Sequence, residues 1–414
     1  MSSWTDTTLG DFVALQRGHD LTETERRQGN VPVMGSAGQN GLHDTALAKW
    51  PGVVIGRSGA SFGKVHFTPI DYWPHNTALY VTDFKGNDPR FAFYFLKALD
   101  FERYNSGSAQ PSLNRNFIYP IPVRIPPLAE QKAIASVIGT LDDKIELNRR
   151  MNVTLESIAR TLFQSWFIDF DPVRAKLDRL KPDGLDAETA TLFPASFQDS
   201  PIGPVPKGWK VERFDAHITA DRGLSYKGEG LRDDGTGIPM HNLNSVYEGG
   251  GYKHEGIKYY AGEYREKHLV EPGDMIVTNT EQGFDHLLIG HAAIVPKCYG
   301  PKGIYSHHIY RVRYKPFSPF SPHYLVELFN NRRWHYWISG YSNGTTINML
   351  PMDALEMPML VVPPIELVKK FTEIAEAAHL QVEDNKLQSR TLATIRDTLL
   401  PKLLTGELKA RNGT

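Results

Sequence analysis

A glycine-rich stretch ending in Gly-Lys, IGRSGASFGKV at residues 55–65, contains residue types that could cradle a phosphate. A nucleotide-binding loop of this kind needs Gly, four residues, Gly-Lys and then Ser or Thr, because the loop amides wrap the phosphate and the hydroxyl holds magnesium. Ser58 stands where the first glycine belongs, and Val65 stands where the hydroxyl belongs. The stretch instead predicts a turn between two apolar runs, with donors suited to a phosphodiester or a base edge; an ordinary surface hairpin is the alternative. These donors are Arg57, Ser58, Ser61 and Lys64.

Residues with metal-binding or catalytic side chains do not form a recognisable site in the sequence. The stretch with the most of them alternates like two strands and lacks the tight paired spacings of structural zinc sites, which favours a role without metal. The chain has no Asn/Asp-Pro-Pro-Tyr/Phe motif of an amino-methyltransferase, and Pro182-Asp183 has no nearby Glu-x-Lys of a nuclease. We therefore predict neither a catalytic residue nor a bound metal, while an enzyme that acts on nucleic acid through a dispersed site stays an alternative. The residues weighed for zinc are His286, His291, Cys298, His307 and His308.

Length and composition indicate a globular protein of two or more domains. The chain has 414 residues, of which 41% are hydrophobic, and its single cysteine, Cys298, excludes an internal disulfide framework. Neither a secretory signal nor an apolar run of membrane-spanning length is recognisable, so we expect a cytoplasmic protein. The formal net charge of -1 is low for a nucleic-acid binder. Such a binder would need to segregate its charges by face or obtain positive surface from a partner.

Two long segments of the chain, residues 124–167 and 360–404, repeat each other without gaps. Pro126 matches Pro363, and the same offset brings Ile134 onto Phe371. Apolar residues recur every three or four positions after the prolines, which predicts two long helices paired as a coiled coil. Asn148 and Asn385 fall at equivalent points on the apolar seam, where they would set register or, alternatively, face solvent. The predicted contacts between the helices are Ile134, Leu141, Ile145, Asn148, Leu155 and Leu162 in the first copy, and Phe371, Ile374, Val382, Asn385, Leu392 and Leu399 in the second.

The segments before each helix repeat more loosely. WTDTTLGDFVALQRG (4–18) resembles WKVERFDAHITADRG (209–223), and KWPGVVIGRSG (49–59) parallels VEPGDMIVTNT (270–280). PHNTALYV (74–81) likewise parallels SHHIYRVR (306–313), and residues 183–206 are rich in Pro, Gly, Asp and Ser, which is typical of a linker. The order is therefore globular, helix, globular, helix. We predict an α+β protein with domains at 1–124 and 183–360, the latter including the linker, and helical regions at 125–182 and 361–414.

Three phrases resemble those of type I restriction-modification specificity subunits: PPLAEQKAIASVI (126–138), DSPIGPVPKGW (199–209) and LLPKLLTGELK (399–409). The resemblance covers nearly the whole chain. One position departs from it: the second copy has Leu367-Val368 where the first copy has Glu130-Gln131. It implies two α/β target recognition domains separated by two long antiparallel helices, with internal pseudo-twofold symmetry. It also implies a DNA-reading subunit that is not itself catalytic and that joins two methyltransferase subunits and restriction-translocase subunits. S-adenosylmethionine, ATP and Mg would then be bound by those partners.

Two polar loops in each globular domain are the candidates for reading DNA. Arg and Lys suit guanine, whereas Asn and Gln suit adenine. Arg17 and Arg222 hold matching positions and would bind phosphate or, equally, stabilise the local fold. The predicted DNA-binding residues are Arg17, Arg57, Ser58, Ser61, Lys64, Asn105, Gln110, Ser112, Asn114 and Arg115 in the first domain, and Arg222, Thr278, Asn279, Thr280, Gln282, Tyr341, Asn343 and Thr345 in the second.

A duplicated reader of this kind predicts a bipartite DNA target, with one half-site for each domain. A helix of roughly 40 residues spans on the order of 60 Å, which would set the length of an unread spacer. The alternative is a coiled-coil scaffold that binds proteins without reading DNA.

Overall fold

The computed structural model describes residues 4–106, 111–282, 285–344 and 347–410. The chain divides into two compact units, one formed by residues 1–149 with 386–414 and the other by residues 150–385. Each long helix contributes one part to each unit.

The first unit combines small antiparallel sheets with a packed helix. One sheet has the strand order β2-β8-β5-β6, a second has the order β4-β3-β7, and β1 pairs with β9. The strands are β1 (Thr5–Thr8), β2 (Ala14–Arg17), β3 (Val31–Gly35), β4 (Gly38–His43), β5 (Gly52–Gly56), β6 (Val65–Thr68), β7 (Trp73–Pro74), β8 (Ala78–Asp83) and β9 (Pro122–Ile125). The helices are α1 (Leu9–Phe12), α2 (Pro89–Ala98), α3 (Arg115–Ile118) and the start of α4 (Leu128–Phe163).

The core of the first unit lies between its four-stranded sheet and α2. All five residues of β5 are buried, as expected for an apolar run in an inner strand. Helix α2 starts with Pro89, and the Asp88 carboxylate accepts N–H bonds from Arg90 and Phe91, which caps the helix. Its apolar face, including Phe91, packs into one cluster with β5 and α4. Each such aromatic side chain contributes about 1.5–3 kcal/mol by burial.

The second unit repeats this plan with larger insertions. Its main sheet has the order β13-β22-β18-β20, and a five-stranded sheet has the order β14-β16-β15-β21-β17. The strands are β10 (Phe197–Gln198), β11 (Val205–Pro206), β12 (Lys210–Arg213), β13 (Ile218–Arg222), β14 (Leu231–Arg232), β15 (Ile238–His241), β16 (Lys258–Tyr260), β17 (Leu269–Val270), β18 (Met275–Thr278), β19 (Thr280–Gln282), β20 (Ala292–Ile294), β21 (Gly303–Tyr305), β22 (Ile309–Tyr314), β23 (Ile347–Met349) and β24 (Met359–Val362). The helices are α5 (Asp171–Leu177), α6 (Ala187–Thr191), α7 (Pro322–Asn330), α8 (Arg332–Ser339), α9 (Asp353–Glu356) and α10 (Ile365–Leu404).

Helices α4 and α10 are 36 and 40 residues long. In the first unit, Ile134 and Ile138 near the start of α4 share a core with Leu403 at the end of α10. In the second unit, Phe163 at the end of α4 lies 5.6 Å, between ring centres, from Phe371 near the start of α10. The two helices therefore run antiparallel. The predicted α+β class with two sheet-rich domains and two long antiparallel helices is confirmed.

The predicted contacts between the helices fall into three groups by burial. Ile374 is 39% exposed and corrects the prediction for its position, because Phe371, Ala375 and Ala378 form the buried stripe of α10 instead. The others are buried (Ile134, Asn148, Phe371, Val382, Asn385) or half-buried (Leu141, Ile145, Leu155, Leu162, Leu392, Leu399).

Both seam asparagines are buried, so the solvent-facing alternative does not hold. In the first unit, the Asn148 side chain donates to Gln388 Oε1 at 2.8 Å and lies 3.3 Å from Ser389 Oγ. In the second unit, Asn385 donates to Asn152 Oδ1 at 2.8 Å. Each asparagine thus bonds the opposite helix, as a residue that sets register must.

Candidate nucleic-acid interface

A polar cleft of about 620 Å³ opens in the first unit where the ends of β2 and β5 meet the segment before α3. Three arginines from these separate segments line it: Arg17, Arg57 and Arg115. Of the predicted DNA-binding residues, Arg17, Arg57, Ser112, Asn114 and Arg115 therefore come together in one place.

Backbone contacts hold Arg17 and Arg57 in position. Arg17 ends β2 opposite Leu79 of β8. After it, Gly18 approaches another backbone so closely that a Cβ there would lie 2.2 Å from the carbonyl oxygen of His75. The Arg57 N–H donates to Thr77 O at 2.9 Å, and the Arg57 carbonyl accepts the Leu113 N–H at 2.8 Å. Arg57 therefore joins two loops through its backbone.

The cleft presents positive charge that the protein does not neutralise. Within the described part of the chain, Arg57 and Arg115 form no ion pair with a carboxylate. Arg115 instead donates to the Leu15 carbonyl at 2.9 Å. Arg17 lies 3.8 Å from the Asp20 carboxylate, but both side chains are largely exposed, so this pair is weak. Such a surface suits an anion with several acceptor oxygens, including a phosphodiester backbone.

The remaining predicted residues of this domain have other positions. Lys64 is exposed and does not line the cleft, whereas Ser58 and Ser61 are half-buried at the turn after β5. Asn105 Oδ1 accepts the Ser112 N–H at 3.0 Å, so this side chain supports the loop. Gln110 lies outside the described residues.

The second unit repeats the backbone framework of this cleft. The Asn279 N–H donates to His308 O at 3.1 Å, and the Asn279 carbonyl accepts the Leu350 N–H at 2.8 Å. These are the bonds that Arg57 makes with Thr77 and Leu113. Asn279 is thus the structural counterpart of Arg57. The alignment of the two sequences places Thr278 opposite Arg57, so the structure corrects that alignment by one residue.

Arg222 is the counterpart of Arg17. It pairs with Tyr310 of β22 as Arg17 pairs with Leu79 of β8. Gly223 follows it, and a Cβ there would lie 2.3 Å from the Ser306 carbonyl oxygen. The Arg-Gly pair therefore marks the same close backbone approach in both domains.

The predicted polar residues of the second domain are less accessible than those of the first. Thr278, Asn279 and Thr280 are buried, and their side chains bond within the protein. In this conformation they shape the loop, because a buried side chain cannot reach a duplex. Gln282, Tyr341 and Asn343 are exposed, whereas Thr345 lies outside the described residues.

Several groups near the two frameworks were not predicted to contact DNA. His19 and Asp20 line the first cleft. His307 and His308 occupy the loop between β21 and β22, and the adjacent pair of histidines just before an apolar strand was their only signal. From the sequence, these two histidines are candidates only for zinc binding. Among residues 4–106, 111–282, 285–344 and 347–410, no group of three or more His, Cys, Asp or Glu side chains could hold a metal ion.

Comparisons with known proteins give a consistent result. The sequence model of the family described as "Type I restriction modification DNA specificity domain" matches residues 1–157. Residues 1–157 therefore resemble the type I specificity-domain family. The resemblance seen in the sequence motifs to type I specificity subunits is thereby confirmed.

Relatives of the type I specificity-domain family extend the similarity over more of the chain. The type I restriction enzyme MjaIX specificity subunit of Methanocaldococcus jannaschii is 25% identical over 336 residues, which cover 77% of this chain and 69% of the relative. The HindI specificity subunit of Haemophilus influenzae is 41% identical over 110 residues, covering 25% of this chain and 24% of the relative. A crystal structure of the type I restriction-modification S subunit from M. genitalium shares the fold with a TM-score of 0.65 at 14% identity, covering 100% of this chain and 97% of that one.

The length and composition of the helices among the described residues show whether any of them could cross a membrane. None of them combines the length and the apolar character that crossing a bilayer requires.

Proposed function

We propose that this chain is the DNA-reading subunit of a type I restriction-modification complex, and that each globular domain reads one half of a bipartite target. The observation that carries the proposal is the cleft of the first unit, where three arginines from separate segments converge and two of them lack a carboxylate partner within the described residues. The same backbone framework in the second unit supports a second reading site.

The chemistry of the complex belongs to partners in this proposal. The chain would not be catalytic; two methyltransferase subunits would bind S-adenosylmethionine, and restriction-translocase subunits would use ATP and Mg.

Exposed apolar residues on the long helices support two copies of one partner. Three pairs of residues related by the repeat offset, one member on α4 and the other on α10, are all exposed by 38 to 43%. An exposed apolar position that recurs in both repeats suits two identical docking sites. The pairs are Leu128 with Ile365, Val137 with Ile374, and Ile158 with Ile395.

The length of the helices would set the unread spacer. At about 1.5 Å per residue, the 36 residues of α4 correspond to about 54 Å. Removing one turn, roughly four residues, from both helices should shorten the preferred spacer. An unchanged spacer would contradict this role of the helices, but it would not contradict the proposal that the two domains read bases.

DNA reading is tested by selection from a random duplex library with the chain bound to its methyltransferase partner. The wild-type complex should enrich a two-part motif. Arg57→Ala should weaken binding to the enriched duplex by about tenfold or more, as loss of a 1–3 kcal/mol contact would. Arg124→Ala is the matched control, because Arg124 is exposed on β9 and does not line the cleft.

The result also separates the two functions considered from the sequence. Methyltransferase binding without enrichment of any duplex would contradict DNA reading and favour the protein-interaction scaffold.

A further inference from the structure

The second domain places two neighbouring histidines where the first domain has Asn76 and Thr77. The equivalence follows from backbone bonds: the His307 N–H donates to Leu224 O at 2.9 Å, as the Asn76 N–H donates to His19 O at 2.9 Å. The side chain at the Arg57 position contacts this segment in both domains. Asn279 Nδ2 donates to the His307 carbonyl at 3.1 Å, and Arg57 lies 3.5 Å from the Asn76 carbonyl.

The two imidazoles form a compact cluster with Arg222. The ring centres of His307 and His308 are 3.8 Å apart. Arg222 Nε lies 3.5 Å from the His307 carbonyl oxygen, and within the described residues Arg222 has no carboxylate partner. Arginines are absent from the positions equivalent to Arg57 and Arg115, which hold Asn279 and Met352. The second framework therefore has fewer arginines than the first, and His307 and His308 are side chains there that become cationic when they are protonated.

Hydrogen bonding leaves this pair incompletely satisfied in the free protein. His308 Nδ1 lies 3.2 Å from Thr280 Oγ1. His307 Nδ1 is shielded from solvent and has no hydrogen-bond partner in the described part of the chain. A buried polar atom without a partner costs free energy, so a ligand that reorients the ring to gain a bond would be favoured.

We propose that His307 and His308 contact the DNA of the second half-site and take up a proton when they do so. In the free protein, burial and the positive charge of Arg222 disfavour protonation of His308. A phosphate, or the N7 and O6 acceptors of a guanine, supplies the opposite charge that favours the imidazolium form.

The electrostatic surroundings fit this linkage. Burial lowers the pKa of His308, and the neighbouring His307 and Arg222 lower it further. The other titratable groups around the pair are Tyr226, whose ring centre lies 6.2 Å from that of His307, and Tyr310 of β22, which lies near Asp353 of α9. No carboxylate in an ion pair with either histidine occurs in the described residues, so the compensating negative charge would come from the DNA.

The inference rests on the proposed function and is tested on the complete complex with its methyltransferase partner. Affinity for the duplex enriched by the wild-type complex is measured from about pH 8 to about pH 6 at constant ionic strength. If binding takes up one proton, the affinity should rise by up to about tenfold for each unit by which the pH is lowered. The variant His307→Gln/His308→Gln should lose most of this slope, whereas His379→Gln on α10 should retain it.

The outcomes distinguish the inference from the proposed function. Selection with the double variant should alter one half of the enriched motif and leave the other half unchanged. The single variants and a thermal melt of each protein identify any variant that fails to fold. A double variant that folds and keeps both the wild-type slope and the wild-type motif would overturn the inference, whereas failure of the wild type to enrich any duplex would overturn the proposed function and the inference with it.

Discussion

The side-chain amide of Asn385 donates a hydrogen bond of 2.8 Å to Oδ1 of Asn152, joining α10 to α4 inside the second unit. Both residues are buried, with exposed fractions of 4% and 9%. Asn385→Ala should lower the free energy of unfolding by about 1–3 kcal/mol, because it leaves a buried amide of Asn152 without this partner. Urea denaturation measures the change.

The matched double variant Asn152→Leu/Asn385→Leu should cost less than the single change, since the buried pair then carries no unpaired polar group. Gln381, which donates to Asn385 Oδ1 at 3.0 Å, is exposed and can bond water instead. Glu373→Gln, at an exposed position of the same helix, should change stability by less than about 0.5 kcal/mol. A double variant less stable than Asn385→Ala would contradict this explanation.

Gly139 of α4 contacts the Arg90 side chain in the first unit, so the effect of substituting Gly139 on stability should depend on Arg90. Arg90 donates to both carboxylate oxygens of Asp143 and to the Gly139 carbonyl. A Cβ at position 139 would lie 2.6 Å from Arg90 Cζ. Gly139→Ala should therefore stabilise the Arg90→Ala variant by about 1 kcal/mol of helix propensity, but should stabilise the wild type by less, because the new methyl group displaces the Arg90 guanidinium. A double-mutant cycle by thermal or urea melting measures the difference, and equal effects in both backgrounds would contradict it.

Glu327 on α7 should make the stability of the second unit depend on pH. Burial raises the pKa of Glu327 to about 7. Because the folded-state pKa lies above the unfolded value, the folded state binds more protons between about pH 4.5 and about pH 7, and stability falls as pH rises through that window.

Glu327→Gln should remove this dependence. At about pH 8 the variant should be more stable than the wild type by on the order of 2 kcal/mol, and the two should converge near about pH 4. Denaturation at a series of pH values measures the difference between them. A difference that does not vary with pH would contradict the assignment to Glu327.

Glu281 should control the order of the loop that follows β19. Its buried carboxylate accepts N–H bonds from Leu287, Leu288 and Ile289 at 2.9, 3.0 and 2.9 Å. Glu281→Gln should accelerate amide hydrogen exchange at these three residues, because a neutral amide has one acceptor oxygen and forms weaker bonds than a carboxylate. Gln282→Glu at the adjacent exposed position is the control. Exchange rates equal to wild type would contradict the role of Glu281.

The repeat, the two long helices and the Arg-Gly pairs at the ends of β2 and β13 are all predictable from the amino-acid sequence alone. These features depend on local patterns: apolar spacing selects a helix, and a glycine after the arginine allows a close backbone approach. Asn148 and Asn385 also fall at the same point of an apolar stripe in each copy, but the sequence left open whether they set register or face solvent, and their contacts with the opposite helix decided between the two.

Which polar loop residues are accessible depends instead on how distant segments of the chain pack together. Arg57 and Asn279 occupy equivalent backbone positions, but Arg57 reaches a cleft while Asn279 is buried. The sequence alignment also paired Arg57 with Thr278 instead of Asn279. The correct register could not be read from spacing, because it is set by pairing between strands that are distant in the chain. Burial and strand register are properties of contacts between segments far apart in sequence, so a local pattern of Ser, Thr and Asn indicates a loop but not the side that faces a ligand.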